Sequence, residues 1–173
     1  AEPHNMDKNP DGTWANSELG IALAQLVDGG EEKTVYDRLQ STFSAEMNFR
    51  ERMLVINANF TFSKGHEDYD WYKNKYQIGY GPEDIREEGT SRAYKASTSE
   101  LYTVLDLYAT FNKSFGKHAV TGIVGFNQEY NRWNKFTADR YDIISTSLPS
   151  IGLASGEQYV DEEYKDWAIR GAF

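Results

Sequence analysis

Five stretches of this chain alternate apolar and polar residues with a period of two, a pattern that suits an extended strand with two unlike faces and not a helix. In the first, Leu39, Ser41, Phe43, Ala45, Met47 and Phe49 fall on one side, with Arg38, Gln40, Thr42, Ser44, Glu46 and Asn48 on the other. The pattern restarts after Arg50-Glu51-Arg52, setting Leu54, Ile56, Ala58, Phe60 and Phe62 against Asn57, Asn59, Thr61 and Ser63, so the two stretches read as a hairpin. A third stretch sets Leu101, Thr103, Leu105, Leu107, Ala109 and Phe111 against Tyr102, Asp106, Tyr108, Thr110 and Asn112. A turn at Ser114-Phe115-Gly116-Lys117 leads into the fourth, with Val120, Gly122, Val124 and Phe126 on one face, which makes a second hairpin. From about Tyr159 a weaker alternation ends with Trp167, Ile169, Gly171 and Phe173 sharing one side.

The chain then divides into a loop and strand entry over 1–33, a hairpin over 34–63, a loop over 64–97, a hairpin over 98–130, a loop over 131–158 and a strand over 159–173. Short and long connections alternate, the asymmetry of outer-membrane barrels with tight periplasmic turns at one rim and long extracellular loops at the other. Strands of a soluble sandwich usually run about 5 to 6 residues, whereas about 9 to 11 are needed to cross a bilayer at a tilt. The longer stretches here fit the second case. Their polar faces hold Asn, Thr, Ser, Gln and Tyr more than Lys and Glu, which suits a crowded, hydrated lumen. Phe49, Phe62, Phe111, Phe115 and Trp133 stand near stretch ends, where interfacial girdles lie.

Composition removes several alternatives. No window approaches the eighteen or so apolar residues of a spanning helix, and the best run, Ile21 to Val27, is too short. Twelve Tyr, nine Phe and four Trp accompany 26% charged residues, and barrel strands, apolar only at alternate positions, tolerate such a mixture. A net charge of −9, with 18 basic residues scattered among 27 acidic ones, speaks against nucleic acid as a partner. With no cysteine, disulfides and thiolate metal sites are ruled out. Ala1 to Met6 has neither a basic start nor an apolar core, so an export signal is expected to be removed or upstream.

The stretch Phe111 to Glu129, FNKSFGKHAVTGIVGFNQE, resembles a hairpin of the SusC-like branch (RagA/SusC family) of the TonB-dependent outer-membrane transporters. The segment NPDGTW at Asn9 to Trp14, the later run LVDGGEEKTVYDRLQSTFSAEMNF, and the closing DWAIRGAF are similar to other barrel segments of that family. The resemblance implies an all-β, antiparallel up-and-down wall belonging to a transmembrane barrel of about 22 strands with a plugged lumen. It also implies import of oligosaccharides or peptides across the outer membrane of a Gram-negative bacterium, powered through the TonB complex, with a SusD-like surface lipoprotein as lid. Neither plug nor TonB box is found in the sequence, so the chain reads as an internal barrel segment that needs the rest of the barrel, the plug and outer-membrane lipid around it.

Candidate sites lie outside the alternating cores. Trp71 and Tyr72, with Tyr76, sit in an aromatic and acidic stretch, and Tyr130 and Trp133 in another. Aromatic faces stack on sugar rings while carboxylates accept hydroxyl hydrogens, so these five are candidate substrate contacts; packing in a girdle or between loops explains the same residues. Asp7, Asn9, Asp11 and Glu18 match the calcium-loop spacing, with Gly12 at its turn. A plain Asn-Pro-Asp-Gly turn explains them equally, Pro10 stiffens the loop, and no cofactor is otherwise expected. His4, His66 and His118 lack metal-ligand spacing and no nucleophile elbow is present, so the chain is not expected to be an enzyme. The competing reading is a soluble β-sandwich that binds carbohydrate, perhaps around one structural calcium; a surface adhesin with the same strand pattern is a third.

Overall fold

The computed structural model describes residues 5–173, so His4 lies outside the described residues. Its elements in chain order are β1 (Trp14–Ala15), α1 (Glu18–Asp28), β2 (Gly30–Phe49), β3 (Leu54–Lys73), β4 (Tyr76–Gly81), β5 (Asp84–Glu88), β6 (Arg92–Phe115), β7 (His118–Tyr141), a 3-10 turn (Ile151–Leu153) and β8 (Gln158–Ala172). The fold is all-β in character and mostly antiparallel. Strands β2, β3, β6, β7 and β8 form one five-stranded sheet in that order, and β1, β4 and β5 form a second of three strands. Neither sheet closes on itself, leaving β2 and β8 as the edges of the larger one.

Both expected hairpins are present, with boundaries that move outward. Strand β2 begins at Gly30 instead of 34, and β3 runs on to Lys73, ten residues into the expected loop. Strand β6 begins at Arg92 and β7 ends at Tyr141, so the second hairpin also takes residues from both flanking loops. The remainder of the 64–97 stretch holds the β4–β5 hairpin. Alternation weakens in these outer parts because aromatic and charged residues occupy both faces, while the backbone pairing continues. The expected loop at 1–33 contains α1, an 11-residue helix. Its start is set by Ser17, whose Oγ accepts from Gly20 N at 3.0 Å, with Glu18 in the first turn, and Gly29 follows its last residue.

The described chain divides into two compact units. The first comprises residues up to Val35, Asp68–Ser97 and Phe136–Asp161. Its small core is Ala24, Tyr76 and Ile78, with Trp14 and Ile21 packed against them. Strand β1 pairs in parallel with β4, Trp14 beside Ile78, and β5 pairs with β4 on its other side. Gln25 Nε2 donates to the Tyr76 hydroxyl at 2.9 Å, tying α1 to β4. Gly79 is required by close approach, since a Cβ there would meet Thr13 Oγ1 at 2.4 Å and Asn9 Nδ2 at 2.5 Å.

The second unit comprises Tyr36–Glu67, Thr98–Lys135 and Glu162–Phe173. Its strands turn tightly. Met53 N donates to Arg50 O at 3.1 Å within the four-residue connection 50–53, where Arg50 (φ 45), Glu51 (φ 52) and Arg52 (φ 70) all have positive φ. Gly116 (φ 60) opens the other turn, where a type II′ geometry calls for glycine. Register is read from cross-strand pairs: Thr42 with Thr61 at 3.0 Å, His66 with Ser99 at 3.0 Å, Asn127 with Asp106 at 2.7 Å, and Thr121 with Asn112 at 2.9 Å. With strict alternation these pairs place Leu39, Phe43, Met47, Phe60, Leu105, Leu107, Phe111, Val120 and Val124 on one face. Thr42, Thr61, Tyr102, Asp106, Asn127, Glu129 and Asn131 share the other. Among the described residues of this unit Val55 is the one buried hydrophobic side chain.

Candidate functional site

In the first unit, alternation and register together bring aromatic residues from four strands onto one face. Trp71 of β3 and Tyr94 of β6 stack with centroids 5.3 Å apart and planes 11° apart, and Tyr69 meets Tyr94 edge-on at 6.0 Å. Arg92, two residues before Tyr94 and so on the same face, holds its guanidinium 5.5 Å from the Trp71 ring and 4.7 Å from the Tyr141 ring of β7. Tyr141 in turn meets Tyr159 of β8 edge-on at 6.4 Å. Arg92 is fixed by Asp139, a buried carboxylate that accepts from Nε at 2.8 Å and lies 2.7 Å from Nη2. Pairing of this kind keeps a buried charge tolerable. The result is a row of aromatic faces with one guanidinium set into it, which offers stacking surfaces and fixed hydrogen-bonding groups to a polar ligand.

Two clefts flank this row. One of about 410 Å³ is lined by Tyr69, Trp71, Tyr72 and Lys73 of β3, by Glu31 and Glu32 of β2, and by Gln25 and Leu26 of α1. The other, of about 200 Å³, lies among Lys33, Asp70, Tyr94, Lys95 and Pro149. Lys95 and Asp70 pair across it at 3.0 Å.

The five expected substrate contacts do not form one site. Trp71 stands in the aromatic row. Tyr72 follows it in the strand and faces the other way, with its hydroxyl 3.4 Å from Glu31 Oε2. Tyr76 is buried in the core beside Ile78, away from the aromatic row. Tyr130 and Trp133 belong to the second unit and, three residues apart in a strand, face opposite sides. Arg132 lies between the Tyr130 and Tyr164 rings, 5.8 and 5.9 Å from their centroids, while Lys165 Nζ sits 4.8 Å from the Trp133 ring. Arg92, Tyr94, Asp139 and Tyr159 were not singled out from sequence. Their only signal is cross-strand register, which spacing along the chain does not carry.

The proposed calcium ligands serve a hairpin. Gly12 N donates to Asn9 O at 2.9 Å, forming the Asn-Pro-Asp-Gly turn, and Gly12 follows at φ 88. Asn9 Nδ2 donates to Thr13 Oγ1 at 2.9 Å and Gly79 O at 3.1 Å. Asp11 accepts from the Thr13 hydroxyl at 2.7 Å and from its amide at 2.9 Å, and these bonds hold its carboxyl below the usual carboxylate range. Asp7 accepts from Lys8 N, and Glu18 stands in the first turn of α1. Among the described residues no three His, Asp or Glu side chains gather as a metal site. No protein-family model matches this sequence, and no curated protein is significantly similar to it.

Proposed function

We propose that this chain is a wall segment of an outer-membrane β-barrel importer of the SusC-like type. The observation that carries the reading is the segregation of the second unit's side chains into an apolar and a polar face, each without a covering layer among its described residues. Phe43 is 65% exposed, Met47 55% and Val124 66%, on strands of 20 to 24 residues, long enough to cross a bilayer at a tilt. The opposite face is cross-linked by Thr42–Thr61, Asn127–Asp106 and Tyr102–Glu129 hydrogen bonds and suits a hydrated lumen. On this reading lipid meets the first face and water the second.

Open edges at β2 and β8 call for further strands, because unpaired backbone groups cannot remain bare in hydrocarbon. The rest of the barrel, a plug, the TonB complex and a SusD-like lid are the partners this reading requires. The aromatic row around Trp71 and Arg92 is a fitting contact surface for an oligosaccharide or peptide in transit. No catalytic step and no cofactor enter the reading.

The test contrasts the two faces. Leu105→Arg places a charge toward lipid, which costs about 2–4 kcal/mol near the midplane, and recovery from the outer-membrane fraction should fall several-fold. Asn57→Arg places the same charge toward the lumen and should leave recovery within about twofold. Equal recovery of the two variants, or a native chain found soluble and solitary, would sink the proposal and favour the carbohydrate-binding sandwich.

A further inference from the structure

Strand β8 reverses the segregation that largely holds on β2, β3, β6 and β7, where Val55, Val104 and Ile123 are the apolar exceptions on the polar face. Its apolar residues Trp167, Ile169 and Phe173 lie on the polar face. Trp167 meets the Tyr102 ring at 6.2 Å, on the side where the Tyr102 hydroxyl donates to Glu129 at 2.8 Å. Phe173 exchanges both backbone hydrogen bonds with Gly125, at 2.9 and 3.1 Å, and its ring covers the space where a Gly125 Cβ would stand. Ile169 is 58% exposed there. Alternation turns Asp166 and Arg170 onto the face shared with Val120 and Val124.

Both ends of β8 are held, and a change of register that leaves the start in place must fall between Asp161 and Trp167. Near its start, Tyr159 packs on Tyr141, Thr137 Oγ1 lies 3.5 Å from Asp161 O, and Arg140 Nε donates to Gly156 O at 3.1 Å. Beyond Asp161, Lys165 Nζ sits 4.8 Å from the Trp133 ring, Trp167 6.2 Å from the Tyr102 ring and Arg132 5.9 Å from the Tyr164 ring, contacts that a change of register would exchange for others. A shift of one residue moves every following side chain to the other face, and a β-bulge supplies one such residue without disturbing what precedes it.

Resting on the membrane reading above, we propose that β8 acquires a one-residue bulge between Asp161 and Trp167 when the sheet enters a bilayer. The bulge turns Trp167, Ile169 and Phe173 to lipid and Asp166 and Arg170 to the lumen. The start of the strand keeps its present pairing. The driving force is local to β8: a bilayer penalises a charged residue facing lipid and rewards an apolar one, whereas in water both faces are wet and the unbulged ladder keeps all its backbone bonds.

The chain has no cysteine, so single-cysteine variants of the full chain carry a spin label at one position only. Ile169→Cys and Arg170→Cys are compared in phospholipid vesicles by collision with oxygen, which partitions into lipid, and with a water-soluble nickel complex. Phe43→Cys and Thr42→Cys serve as controls on β2. The expected result is a label at 169 that favours oxygen and one at 170 that favours nickel, matching 43 and 42 respectively. If 43 and 42 contrast but 169 and 170 show the reverse pattern or none, β8 keeps its register and the inference fails while the membrane reading stands. If 43 and 42 do not differ, the membrane reading fails and takes the bulge with it.

Discussion

In the unit that contains α1, Ala24 and Ile78 are fully buried and Tyr76 nearly so, whereas in the other unit Phe43 and Val124 stay 65% and 66% exposed although their strands run 20 and 24 residues against six for β4. Both units are built largely of β-structure, and both contain apolar residues at regular intervals. They differ in what lies across from those residues. In the first unit a helix and a short hairpin supply a second layer, so an apolar side chain meets another. In the second, a single sheet has no second layer among its described residues, and its apolar face is continuous. A soluble domain with such a face would aggregate, while a bilayer gives the same face its natural solvent. On the reading proposed, the first unit has a stability of its own, and the second depends on a bilayer around it.

The largest expected effect tests that independence. Ile78→Ala removes the one large side chain that is fully buried among the described residues, and core deletions of this kind cost about 2–5 kcal/mol. Amide hydrogen exchange should accelerate across α1, β4 and β5 by an order of magnitude or more. Amides of Leu101–Phe111 and Val120–Phe126 should exchange at the unaltered rate in lipid. A uniform loss of protection throughout the chain would show that the two units unfold as one and would end the comparison.

This contrast also decides what the sequence reveals. Alternation over 39–62 and 101–126 is legible because lipid and lumen, on the reading proposed, impose opposite demands on neighbouring residues. The outer strand ends at 64–73, 92–97 and 131–141 were not legible as strand, since Asp68, Asp70, Trp71 and Tyr72 put polar and aromatic groups on both faces. Helix α1 was hidden for a related reason. Its apolar run Ile21 to Val27 is too short for a membrane span and carries no strand period, and its signal lies in the start at Ser17 and Glu18 and in Gly20 and Ala24 four residues apart. In the aromatic row, Trp71 stood out by composition. Arg92, Asp139 and Tyr94 reach it only through register, which depends on tight turns far along the chain.

Turns supply a smaller and sharper test. Glu51 and Arg52 occupy left-handed positions in the second unit at φ 52 and 70, and Glu83 does so at φ 65 after Pro82 in the first. A side chain in this region costs roughly 1–2 kcal/mol, and glycine relieves it, offset in part by a more flexible unfolded chain. Glu83→Gly should raise the urea midpoint of the first unit by an amount corresponding to about 0.5–1 kcal/mol. On the membrane reading, Arg52→Gly should add a similar amount to the second unit, visible only after assembly in lipid. Gain at Arg52 in plain buffer would mean that the second unit folds without a membrane.

The smallest effect comes from pH, at the β4–β5 hairpin of the first unit. On β5, Arg86 donates to Asp84 through Nε at 3.0 Å and Nη2 at 2.8 Å, and this bonding holds the Asp84 carboxyl below the usual carboxylate range. Arg86 also lies 4.4 Å from the Tyr80 ring, and the Tyr80 hydroxyl donates to Glu88 at 2.7 Å, which raises the Tyr80 pKa above the ordinary phenol value. The depressed carboxyl stabilises the hairpin above the unfolded Asp value and loses that effect as pH falls through the folded one. The raised phenol works in the opposite sense: its contribution is present at neutral pH and is lost as pH climbs past the unfolded Tyr value. The β4–β5 hairpin should therefore be best protected on a plateau between the two ranges. All these groups are solvent-exposed, so the change at either end is slight. An NMR titration of the Asp84 carboxyl should show a midpoint below the model-peptide value, returning to it in Arg86→Gln. An unchanged midpoint in that variant would show that the pair has no bearing on the hairpin.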